Sequence, residues 1–110
     1  MKTRLFGAIV LLGATAAHAG TDFNVTISQI EIEGQGHFFV YLASTISGSP
    51  SCASLPATGF VVDGTTNAGR AVLSVIQTAY ALGKTVNVYG NNQCDVHVGY
   101  ETVWDVMTTN

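Results

Sequence analysis

Between Ala68 and Tyr80 the apolar residues recur at three- and four-residue steps, at Ala68, Ala71, Val72, Val75, Ile76, Ala79 and Tyr80. That spacing lays one stripe along a helix of about four turns. Arg70, Ser74, Gln77 and Thr78 take the opposite face. Thr65, Thr66 and Asn67 each offer a side-chain oxygen to the unpaired amides of a first turn, and Gly83 supplies the left-handed residue that ends a helix cheaply. Lys84 follows where the carbonyl end of the helix dipole favours a cation.

Around this helix the period changes from 3.6 to 2. Phe23, Val25 and Ile27 share one face of a first strand; the phase then slips so that Ile30 and Ile32 continue it, which predicts a β-bulge near Ser28-Gln29. After the turn Gly34-Gln35-Gly36, residues His37 to Ile46 form a second strand, with Phe39 and Tyr41 on one face and Phe38 on the other. Pro50 and Pro56 make Ser47 to Thr58 a loop. Phe60 to Asp63 is a short third strand that enters the helix. Thr85 to Tyr89 is a fourth, with Val86 and Val88 inward and Asn87 outward. Gly90 to Gln93 turns the chain into a last strand, Asp95 to Val106, with Val96, Val98, Tyr100, Trp104 and Val106 on one side and His97, Gly99, Glu101 and Asp105 on the other. The expected class is therefore mostly β with one helix (α+β). Three strands, a helix and two strands is the order of a five-stranded Greek-key barrel of the OB type; an open α+β sandwich is the alternative.

Met1 to Ala19 changes what counts as the folded chain. It has a basic start at Lys2 and Arg4, an apolar run from Leu5 to Ala17, and Ala17-His18-Ala19 as a small-x-small cleavage signal before Gly20. This reads as a secretory signal peptide, and the run is too short for a membrane-spanning helix. Removing 19 of 110 residues leaves 91, one domain spanning 20–110. The protein is thus expected to be secreted or periplasmic. Export makes a disulfide the expected state of Cys52 and Cys94, and the link would enclose the whole helix unit. Asn24-Val25-Thr26 fits a glycosylation sequon, but it falls inside a strand and the leader has a bacterial form, so it is discounted.

Beyond the leader the only basic residues are Arg70 and Lys84, against seven carboxylates. Nucleic-acid binding draws on phosphate neutralisation by Lys and Arg, so the balance excludes it, and it also argues against an anionic membrane surface. The aromatic residues Phe38, Phe39 and Tyr41 do not change that conclusion. No activated nucleophile or G-x-S-x-G elbow is present, so the chain reads as non-catalytic, and no cofactor is implied. His97 and Glu101, on one face of the last strand, are read as an exposed polar face rather than a metal site.

The helix-to-strand passage Ala79-Tyr80-Ala81-Leu82-Gly83-Lys84-Thr85-Val86-Asn87-Val88, with Cys94 soon after, resembles that of small secreted OB-fold proteins, among them the B subunits of AB5-type toxins such as subtilase cytotoxin. Cys52, the Asp63-Gly64-Thr65-Thr66 helix entry and Glu101 are similar to those of a group of short exported bacterial proteins. The resemblance covers roughly residues 50–106 and lies in scaffold positions. It implies the fold, and it suggests a glycan- or protein-binding subunit that forms a homo-oligomer. A monomeric periplasmic or secreted inhibitor or accessory protein is the alternative, with a hydrolase behind it. In OB folds the ligand lies beside the loops joining strands one to two and four to five. Here these loops and their edges provide Gln35, His37, Tyr89, Asn91, Asn92 and Gln93, whose amides suit paired sugar hydroxyls and whose rings could stack.

Overall fold

The computed structural model of the protein describes residues 19–109. The leader expectation falls on residues 1–18, outside the described residues, apart from Ala19. The elements are β1 (Thr21–Ile32), β2 (His37–Leu42), β3 (Gly59–Asp63), α1 (Asn67–Leu82), β4 (Thr85–Gly90) and β5 (Glu101–Thr108). In space the strands run β1-β2-β3-β5-β4, and β4 returns to β1, so the sheet closes into a ring. The mostly β architecture with one helix is as expected, and the open sandwich is not formed. Every pairing is antiparallel except β3 with β5, where Phe60 faces Glu101 and Val61 faces Thr102.

Closure depends on β1 serving two neighbours. Thr21–Thr26 pairs with β4 and Ile27–Ile32 with β2, and the register shifts at Asp22/Val25 and again at Ile27/Gln29. The second irregularity is the expected bulge. The first is taken up by Asn24, whose φ of 49° is a left-handed conformation that asparagine tolerates; its N–H donates to Asn87 Oδ1 at 2.9 Å. Each bulge bends the strand, as a closed sheet demands. One consequence corrects the expected face: Val25 and Ile27 are buried, but Phe23 and Ile32 are exposed. β2 also ends at Leu42, four residues short of the expectation, because Leu42 and Ile46 donate to carbonyls of the 57–58 segment instead of continuing the ladder.

The helix has the expected ends. Thr66 is the N-cap, accepting from Gly69 N, and Gly83 closes the C-terminus in the left-handed conformation. Its buried line is turned from the expected stripe: Gly69, Leu73, Ile76 and Ala79 are buried, Val72 partly so, while Ala68, Ala71 and Tyr80 are exposed. The entry sets this rotation. Gly69 packs so closely on the Asp63 carbonyl that a Cβ there would overlap it, and from that anchor Leu73, Ile76 and Ala79 follow at helical spacing. They join Val25, Val40, Phe60, Val62, Val86, Val88 and Val103 in the core inside the ring.

The greatest departure is at β5. It begins at Glu101, not Asp95, and its register against β4 shifts between Tyr89–Asp105 and Gly90–Val103, making Trp104 a bulge residue. Glu101 and Val103 therefore point inward, whereas Trp104 and Val98, expected on the apolar side, are exposed. Residues 94–100 fold over the outside of β2 and β3, where Phe39, Val61 and Tyr100 make a second core with Tyr41 and Val96. Cys52–Cys94 is a disulfide with a Cα–Cα distance of 6.0 Å, and it ties this cover to the 43–58 loop.

Candidate functional site

The bulge in β5 leaves the indole of Trp104 outside the core, 74% exposed. A single exposed apolar side chain is ordinary on a protein surface, and what singles this one out is its setting. It stands between two hollows. One, of about 480 Å³, is lined by Ala19, Gly90, Asn91, Gln93, Asp95 and Trp104. The other, of about 420 Å³, runs along the entry of α1 past Val62, Asp63, Thr66, Gly69, Val72, Thr102 and Val103, and shares Asn91, Asp95 and Trp104 with the first. Both volumes fall within the range of small-ligand sites.

The polar groups beside the indole are held by one another. Asp95 Oδ1 accepts from Thr102 Oγ1 at 2.6 Å and from Asn91 Nδ2 at 3.3 Å, while Asn91 Oδ1 accepts from Gln93 N at 2.9 Å. The Thr102 hydroxyl, with the Asn91 amide helping, holds the Asp95 carboxyl below its ordinary value against the opposing effect of burial. It is a carboxylate at neutral pH. Asp95 Oδ2 has no partner among the described residues. An aromatic face, a fixed carboxylate and two amide side chains thus converge without a nucleophile–base pair.

Behind this surface lies a buried carboxylate. Glu101 is 1% exposed. Gly20 N donates to both of its oxygens, at 3.0 and 3.1 Å, and Asn92 N donates to Oε2 at 2.8 Å. Gly20 and Gly90 form its walls, and a Cβ on either would overlap the carboxyl group; Gly90 N donates to Gly20 O at 2.8 Å. Burial pushes the Glu101 carboxyl up, opposed by the bonds from Asn92 and Gly20. The expectation of an exposed polar face at His97 and Glu101 is therefore overturned: Glu101 points into the interior, while His97 lies in the preceding segment with its ring against Phe39. Among the described residues no group of three or more His, Cys, Asp or Glu is placed to hold a metal ion.

Of the residues singled out in the sequence, Asn91 and Gln93 line the hollow beside Trp104. Asn92, at φ 64°, turns its N–H to Glu101, and its Oδ1 is buried without a partner among the described residues. Gln35 and His37 line neither hollow. Gln35 sits in the β1–β2 turn, which the Gly64 N–H bonds through Gly36 O. His37 lies 3.0 Å from Glu33 Oε1, and its ring meets that of His97 edge-on. Tyr89 packs edge-on against Phe23, on the outer face of β4 and β1. Trp104, Asp95 and Thr102 were missed because unbroken alternation across β5 placed Trp104 in the core. The available signal was Gly90 at the end of a strand, a position where glycine marks a close approach or an irregular partner.

No protein-family model matches the chain, and neither the curated proteins nor the solved structures contain a match to it. Among the described residues no helix is long and apolar enough to cross a membrane.

Proposed function

We propose that the protein is an exported, non-catalytic binding module that takes a neutral saccharide against Trp104. The observation that carries this reading is the exposed indole flanked by Asn91, Gln93 and Asp95. The apolar C–H face of a sugar ring stacks on an aromatic plane, and its vicinal hydroxyls need donors and acceptors side by side. Asn91 and Gln93 offer both; Asp95 offers a fixed acceptor. That carboxylate, and a chain with only Arg70 and Lys84 as cations beyond the leader, disfavour acidic sugars and phosphates. The closed five-stranded ring with a helix between its third and fourth strands fits an OB-type Greek-key barrel, and the hollow beside the β4–β5 loop fits the place where that type receives ligands. The likeness to AB5-type B subunits supports the same class, with assembly into a ring of subunits as its natural extension.

Trp104 is the only tryptophan of the chain, so intrinsic fluorescence reports the site directly. Titrating the protein with hits from a glycan array is expected to change this emission. Read by calorimetry, since the variant has no tryptophan, Trp104→Ala should weaken binding about tenfold or more, the loss of roughly 1.4 kcal/mol, with Asn91→Ala and Gln93→Ala weakening it further and Gln35→Ala leaving it unchanged. Full affinity in a folded Trp104→Ala protein would place the site elsewhere. A well-folded protein that binds no saccharide would favour the inhibitor or accessory reading.

A further inference from the structure

Among the described residues the buried Glu101 carboxyl has no counter-ion. Among the described residues no Lys, Arg or His reaches it: Arg70 is engaged with Gly64 O, Thr65 O and Asn67 Oδ1, and Lys84 follows the far end of α1. A buried charge needs both hydrogen bonds and an opposite charge to be tolerable. Glu101 has the hydrogen bonds, and they come from one unusual place. Both oxygens receive the backbone nitrogen of Gly20, the residue that follows the Ala17-His18-Ala19 cleavage signal. The fit is specific to glycine, since a side chain at position 20 would collide with the Glu101 carboxyl and with Ile46.

We infer that Gly20 is the N-terminus of the working protein and that its α-ammonium is the counter-ion of Glu101. This rests on the leader reading, and the step is a hydrolysis: a leader-processing peptidase adds water across the Ala19–Gly20 peptide bond. Ala19 leaves with a new carboxylate, and the Gly20 nitrogen becomes an amine that takes up a proton. No oxidant or further reactant is needed. One amide N–H at about 3 Å from two carboxylate oxygens is then replaced by an ammonium with three donors and a full positive charge. Two of these donors match the two oxygens of Glu101. Asn92, which already binds Oε2 through its N–H, also carries a buried Oδ1 with no partner among the described residues.

The same cleavage has a second effect. Ala19 is a wall of the hollow beside Trp104, so processing removes that wall while the new ion pair holds the Asn91–Asn92 turn through Asn92 N. Cleavage thus both opens the hollow and fixes its floor.

The test uses the reactivity of the amine. Three chains are prepared: one beginning at Gly20 with no residue before it, one beginning at Ala19, and the Gly20 chain carrying Glu101→Gln. Each is treated in the folded state, near pH 8, with an amine-acylating reagent, and the labelled positions are read by mass spectrometry with exposed Lys84 as the internal reference. A free α-amine titrates near 7.7–8.0. Pairing with Glu101 should raise that value by at least about one unit, so the Gly20 amine should acylate at least about fivefold more slowly than the Ala19 amine of the extended chain. Glu101→Gln should restore fast labelling; if that variant does not fold, the comparison of the two wild-type chains decides by itself. Equal rates for the Gly20 and Ala19 amines would overturn the inference. So would an exported protein whose N-terminal sequence begins at a residue other than Gly20. Saccharide binding is not the readout, so failure here leaves the role of Trp104 where it stands.

Discussion

Asp95 lies in the connection between β4 and β5 and Glu101 opens β5, yet their protons pull on stability in opposite directions. The Asp95 carboxyl is held down, chiefly by the Thr102 hydroxyl. A carboxyl with a depressed folded value contributes stability that is present above its unfolded value, about 3.9, and lost as pH falls through the folded one. Glu101 is pushed up by burial while the leader end remains attached. A raised carboxyl stabilises the fold below its unfolded value, about 4.3, and that contribution is lost as pH rises through the folded one. An uncleaved chain should therefore lose stability from about pH 4 upward as Glu101 ionises. Asp95→Asn should flatten only the loss below about pH 4. Denaturant midpoints measured from pH 2 to 7 on uncleaved wild type and Asp95→Asn check both signs, and an acid limb unchanged by Asp95→Asn would contradict the role given to Thr102.

At the scale of elements, the β3–α1 junction is fixed by several contacts at once. Asp63 accepts from Thr65 N at 2.9 Å and from the Thr65 hydroxyl; Thr66 caps the helix; Gly69 lets the first turn rest on the Asp63 carbonyl. Two effects compete at Gly69. Alanine would gain about 1 kcal/mol of helix propensity, but its methyl would strike backbone oxygen, which cannot swing aside as a flexible side chain can. Overpacking costs roughly 1–3 kcal/mol or more, and against immovable backbone the clash wins. With the clash at the upper end of that range, Gly69→Ala should destabilise by about 2 kcal/mol or more net in denaturant melts, and a stabilised variant would show that the helix can lift off the strand without cost. On the same helix Ile76, 0% exposed in the core, should not accept aspartate, since a buried unpaired carboxylate costs several kcal/mol, comparable to the stability of so small a domain. Gln77→Asp, one residue on and exposed, should melt close to wild type.

For the whole molecule, the disulfide joins the two segments that carry no regular structure. Cys52 and Cys94 are 42 residues apart, and the segment between them contains β3, α1 and β4. Closing a loop of that length removes about 4 kcal/mol of unfolded-chain entropy, a large fraction of the roughly 5–15 kcal/mol available to a domain. It also fastens residues 94–100 over Phe39 and Val61, so that the outer face of β2 and β3 is core rather than surface. Reduction, or Cys52→Ser with Cys94→Ser, should lower stability by about 3–4 kcal/mol. It should also expose apolar surface at that face, seen as binding of a hydrophobic dye before global unfolding. A double variant that melts with wild type and binds no dye would mean that β2, β3 and the cover hold together without the link.

Much of this was legible in the chain itself, and the reason is that local chemistry leaves local marks. Helix periodicity, threonine and glycine caps, the alternation at Val86 and Val88 and the Ser28-Gln29 slip each depend on a few neighbouring residues, and all appear in the fold. Two cysteines leave one possible intramolecular pairing, and it is formed. What alternation cannot carry is a change of partner along one strand. Residues 101–102 of β5 pair with β3 and residues 103–108 with β4. The bulge at Trp104 reconciles the two registers and reverses the faces on either side of it. Only the assembled ring decides that Trp104 looks outward and Glu101 inward, and only the ring brings Gly20, 81 residues away in the chain, onto the Glu101 carboxylate.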